Sequence, residues 1–216
     1  MSHISVSRYP IAFQFAFLCL IAAITSWAFQ FLLITETLYF NSFATQLSYE
    51  RIEGIISEAK KLSWISYIII PLIYFVKLSI ITLCLSLGFF FISDRFEFKA
   101  FYKVAVLAEL IFLLPVLIKL CWFLFVQTDY DLNDLTQFYP LSALTLVDSE
   151  TIPRYWLAPL QTLNLFEVIY WCLLAYGGAD ATGFSFKRSF GLVMSSYGVG
   201  LVLWVVLVMF LTITYS

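Results

Sequence analysis

The sequence predicts an all-α integral membrane protein with five transmembrane helices and an outer amphipathic helix between the first two. Two observations carry this. The 216 residues are 62% hydrophobic and only 12% charged, whereas a soluble domain has roughly 45–50% apolar and about 25% charged residues. A soluble core of this size has no room for so much apolar surface, so lipid is the solvent for most of the chain. The apolar residues also fall in five long stretches, each sufficient for the roughly 20 residues that a spanning helix needs. A spanning β-barrel shows short alternating segments instead, and irregular backbone in hydrocarbon leaves its polar groups unpaired.

The first span covers residues 10–34. It is too long for a signal h-region, and no small-x-small cleavage pattern closes it, so it reads as a retained signal anchor. The other spans cover residues 64–92, 100–126, 157–179 and 189–213, and residues 1–216 form a single membrane domain. Between the first two spans, Phe43, Leu47, Ile52, Ile55, Ile56, Ala59 and Leu62 recur at helical spacing, with Glu50, Arg51, Glu53, Glu58, Lys60 and Lys61 on the other face. This pattern predicts an amphipathic helix on the outer leaflet, against a partner or against its own bundle. The loop over residues 127–156 opens acidic and turns apolar from Tyr139 to Val147, with Tyr155 and Trp156 as interfacial anchors. A short helix dipping into the outer leaflet fits there.

Orientation follows from Lys and Arg. Arg8, Arg95, Lys99, Lys103, Lys187 and Arg188 fall on the side of the N-terminus, in three short segments. Arg51, Lys60, Lys61 and Arg154 fall on the other side, spread over two longer loops. The denser basic side predicts a cytoplasmic N-terminus and an external C-terminus.

Several function classes drop out. A formal net charge of −2 suggests no nucleic-acid surface. His3 is the single histidine, which leaves no histidine-based metal centre and no Ser-His dyad. Cys19, Cys84, Cys121 and Cys172 each sit inside an apolar run with no metal-ligand spacing, so they read as buried or lipid-facing thiols. Asp129, Asp131 and Asp134 lack the glycine and distal Glu of a calcium loop and read as solvated acids. No nucleotide, hydrolase or metalloprotease motif is present, and no cofactor is implied.

The candidate functional residues are the charges inside spans: Lys77, Glu109, Lys119 and Glu167. A charge at the bilayer centre costs at least ~2.5 kcal/mol unless it is paired or solvated. Lys119 lies near an outer helix end and can snorkel. Glu109 and Lys119 stand about 15 Å apart along one helix and cannot pair. Lys77 is therefore expected to face Glu109 or Glu167. Three roles fit: an ion pair fixing bundle register, a polar pathway at the midplane, or pairing with another subunit. Pro71 and Pro115 precede the two lysines, each able to kink its helix. In the last span Gly191, Ser195, Ser196, Gly198 and Gly200 stand at small-residue spacings that permit close helix packing.

The stretch from Pro159 to Trp171, PLQTLNLFEVIYW, is followed by Gly177, Gly178, Thr182, Gly183 and the basic Lys187 and Arg188. This part of the chain resembles the Yip family, five-helix membrane proteins named for interacting with Ypt/Rab GTPases. Asn164, Phe166 and Glu167 sit in the matching motif. Eukaryotic members carry a long cytosolic N-terminal region, so the resemblance implies a compact bacterial relative in the cytoplasmic (inner) membrane.

The short loops leave no space for a soluble catalytic domain. The expected function is a non-enzymatic membrane scaffold or accessory subunit, with the lipid bilayer and other membrane subunits as its partners in a hetero-oligomer. The alternative is a small transporter or channel using the midplane charges. A membrane-embedded lipid enzyme using Glu109 or Glu167 as acid or base stands third.

Overall fold

A computed structural model describes residues 9–44, 46–148 and 151–215. His3, Arg8 and Glu150 lie outside the described residues. The first predicted span is α1 (Ile11–Leu33), and α2 (Glu36–Phe43) follows, capped by the Thr35 side chain, which accepts from the Leu38 amide. The helix α3 runs unbroken from Tyr49 to Ser93. At 45 residues it is about 68 Å long, more than twice the roughly 30 Å of a hydrocarbon core.

That length corrects one expectation. The amphipathic segment is not a separate helix on the leaflet surface, because its turns continue directly into the second span. Of its predicted apolar stripe only Ile52 and Ile56 are buried, while Ala59 and Leu62 are exposed. The first turns of α3 pack on α2 instead. Phe40 stacks on Tyr49 at 4.9 Å, and Lys60 pairs with Glu36 at 2.5 Å. Lys60 holds the Glu36 carboxyl below its usual range. Both partners are well exposed, so this pair contributes little stability.

The third span is a rod from Phe98 to Phe125. It consists of α4 (Phe98–Glu109), a 3₁₀ turn (Leu110–Phe112) and α5 (Leu113–Phe125). Pro115 lacks the amide that would bond the Ile111 carbonyl, and the tighter turn lies over that gap. Pro71, by contrast, leaves α3 continuous. The following loop carries α6 (Leu132–Gln137), a 3₁₀ turn (Ala143–Leu146) and α7 (Leu157–Thr162). The expected short helix at 139–147 is thus only this one 3₁₀ turn. Asp131 and Asp134 form a reciprocal capping box on α6, which accounts for two of the three clustered aspartates.

The predicted fourth span is broken. α7 ends at Thr162, and α8 (Leu165–Thr182) restarts after Asn164, whose side chain accepts from the Glu167 amide at 2.8 Å. The backbone at 141–143 pins this break through bonds from Leu165 to the Leu141 carbonyl and from Ala143 to the Leu163 carbonyl. α8 ends at Gly183, whose φ of 74° suits glycine. The last rod comprises α9 (Phe186–Val193), a π turn (Met194–Gly198) and α10 (Val199–Tyr215).

Four of these elements are long and apolar enough to cross a membrane: α1, α3, the Phe98–Phe125 rod and the Phe186–Tyr215 rod. The chain is a multi-pass membrane protein by that measure. α8 is not among the four. It carries Glu167, Asp180, two glycines and the aromatics Tyr170, Trp171 and Tyr176 within 18 residues.

The core centres on α4, where seven of twelve residues are buried, whereas α10 buries none. Leu18 of α1, Leu78 and Leu85 of α3, Tyr170 and Leu174 of α8 and Val193 of α9 close around it. Gly177 lets α8 approach α4, since a Cβ there would stand 2.4 Å from Val104. A second cluster, Leu33, Leu38, Phe123 and Leu135, gathers α2 and α6 against the ends of α1 and α5. At the opposite end Phe89, Phe101 and Phe184 stack beside the turns at 94–97 and 183–185.

Candidate functional site

Three of the four charges within predicted spans come together, and one stands apart. Lys77 of α3 donates to Oε1 of Glu109, the last residue of α4, and lies 4.6 Å over the Phe112 ring. Of the two partners that the sequence leaves open, Lys77 thus bonds Glu109. Glu167 lies close enough for both charges to act on it. It is not mid-helix, because the break at Leu163–Asn164 puts it in the first turn of α8. Lys119 is elsewhere. Its ammonium donates to the Leu135 carbonyl of α6, 5.6 Å from the rings of Phe29 and Tyr139. That is the snorkelling expected of a lysine near a helix end.

The two carboxylates have different surroundings. Glu109 is 1% exposed, and its Oε2 has no hydrogen-bond partner. Glu167 has only neutral donors: Oε1 accepts from the Tyr197 hydroxyl at 2.7 Å and from the Trp171 indole at 2.8 Å. Tyr170 packs in the same cluster, its ring 5.0 Å from Phe112 and 5.5 Å from Tyr197. Its hydroxyl is buried without a partner, in the fields of both glutamates.

The backbone is irregular beside both carboxylates and at Tyr197. Glu109 precedes the 3₁₀ turn, Glu167 follows the α7–α8 break, and Tyr197 belongs to the π turn. π turns and interrupted helices recur at functional sites because they redirect side chains that a regular helix would aim elsewhere.

Tyr170, Tyr197, Trp171 and Asn164 escaped the reading of the sequence as site residues. Two carried a local signal: Asn164 stands three residues before Glu167 as a helix cap does, and Trp171 follows Glu167 at i+4. Tyr197 carried none.

The predicted small-residue positions divide between the outside and the inside of the bundle. A Cβ at Gly191 would meet nothing within 4 Å and Ser195 is exposed, while Gly198 is buried and a Cβ there would stand 3.9 Å from the Val193 carbonyl oxygen. Only Ser196 and Gly200 contact α3, through Gly88 and Cys84. The π turn rotates the small residues out of the single stripe that uniform helical spacing implies. The close approach belongs to Gly88, where a Cβ would stand 2.5 Å from that of Ser196.

Cys121 and Cys172 are exposed on the bundle, and Cys19 and Cys84 are half-buried. Among the described residues no group of three His, Cys, Asp or Glu is placed to hold a metal ion. Two grooves lie away from the cluster. One is an open groove between α2 and α3 beside Glu36, Glu53, Lys60 and Lys61; the other is a shallow apolar groove along Leu114–Val126 of α5. No family model, no curated protein and no solved structure matches this chain.

Proposed function

We propose that this chain is a non-enzymatic integral membrane scaffold or accessory subunit that works inside a larger complex. The observation that carries the reading is Lys77. Its side chain is 42% exposed on the outside of the bundle, within an otherwise apolar span. Around it Leu72, Ile73, Phe75, Val76 and Ile80 are also exposed. Bare to lipid, a mid-membrane ammonium costs at least ~2.5 kcal/mol, even with one face paired. A helix from another subunit laid over this face of α3 removes that exposure. The test is purification at native expression in mild detergent. A second membrane protein is expected at constant ratio and is lost when Val76→Trp crowds the face beside Lys77. A chain that stays monomeric in native-like lipid and alone carries transport or enzymatic activity overturns the reading in favour of a small transporter or a lipid enzyme.

The same proposal takes α8 as a fifth crossing, with the Lys187 side in the cytoplasm of a bacterial cell, as the basic residues and the Yip resemblance suggest. In a background without the native cysteines, Asp129→Cys is expected to react with an impermeant maleimide on intact cells. Lys187→Cys is expected to react only after permeabilisation. Both reacting from one side would leave an even number of crossings between them and remove α8 from the membrane.

A further inference from the structure

The Lys77 cluster contains two carboxyl groups and one cation. Lys77 bonds Glu109, and every donor on Glu167 is neutral. The other titratable groups facing Glu167 are Tyr170 of its own helix and Tyr197 of the π turn. Neither is a cation, and Cys84 of α3, beside Tyr197, adds none. An ionised Glu167 would therefore be a second buried anion sharing the single cation that Glu109 already bonds, which a low-dielectric interior strongly disfavours. Two carboxyls within each other's field share protons as a unit.

We infer that this cluster is a proton-binding site, in which one proton is held on Glu167 opposite the ionised Glu109–Lys77 pair, with the buried Tyr170 side chain packed beside Phe112 and Tyr197. The geometry favours a proton over a metal cation. Sodium or potassium needs a shell of several oxygens, and the cluster's unpartnered buried oxygens are Glu109 Oε2 and the Tyr170 hydroxyl. A proton needs only one carboxyl oxygen and a nearby acceptor. The site also has structural leverage, since Glu167 ties the first turn of α8, just after its break, to the π turn through Tyr197. Releasing the proton puts a second negative charge into that seam. This inference stands whether the chain acts alone or within a complex.

Infrared spectroscopy of the purified full chain in lipid nanodiscs tests it directly. At neutral pH the wild type is expected to show the carbonyl stretch of a protonated, buried carboxyl, shielded from deuterium exchange. Glu167→Gln should abolish that band, which assigns it to this carboxyl. Exchanging choline chloride for sodium or potassium chloride at fixed pH and ionic strength should change neither the band nor the thermal midpoint. Absence of the band from wild type overturns the proposal without recourse to any variant. So does its retention in Glu167→Gln. A midpoint that rises with sodium or potassium assigns the site to a metal cation instead.

Discussion

Replacing Lys77 with Met is expected to cost about 3 kcal/mol of stability, the lower end of the range for breaking a buried ion pair, because only one partner is fully buried. Glu109 is 1% exposed and loses its sole cation, while the Lys77 side chain, 42% exposed on an apolar face, gives way to one that suits lipid. The double variant Lys77→Met, Glu109→Gln should recover most of the loss, since it removes the stranded charge along with its partner. Thermal unfolding in detergent reads both, and the non-additivity of the pair isolates the coupling. An unchanged midpoint in Lys77→Met would mean that the pair contributes nothing to the fold.

The second large effect is steric. Gly88→Ala should destabilise by about 1–3 kcal/mol, as overpacking of a tight interface does. Its Cβ would lie 2.5 Å from the Cβ of Ser196 and 2.8 Å from the Ser196 hydroxyl oxygen. Ser196 immediately precedes Tyr197, so any displacement of the π turn also reaches the hydrogen bond on Glu167. Gly88→Leu should prevent close packing of α3 on the last rod while favouring insertion, because Leu suits the bilayer. Gly191→Ala is the control, since that position opens onto empty space. Pairing Gly88→Ala with Ser196→Gly should restore much of the loss. Equal midpoints for Gly88→Ala and Gly191→Ala would sink the close-approach argument.

What the sequence determined by itself follows from the bilayer as solvent. An apolar run in lipid must satisfy its own backbone, so run length and composition alone locate a helix. The structure places α1, the Phe98–Phe125 rod and the Phe186–Tyr215 rod within a few residues of the predicted spans. The rarity of charges in those runs also makes Lys77, Glu109 and Glu167 conspicuous without any knowledge of contacts.

Only the tertiary structure decided the rest. Periodicity cannot tell a surface helix from the extended start of a spanning one, because both show an apolar stripe. The helix Tyr49–Ser93 is one rod because no residue near 62 ends it. The choice of Glu109 over Glu167 as the partner of Lys77 depends on how α3, α4 and α8 pack, and each helix alone is compatible with either. Tyr197 reaches Glu167 from 30 residues away through a π turn that no local propensity encodes. Small-residue spacing in the last span suggests a packing face, and only the packed bundle shows that Ser196 of that set meets Gly88 on another helix. A glycine's role in packing is set by what lies opposite it, and that is a property of the assembled bundle rather than of the segment that contains it.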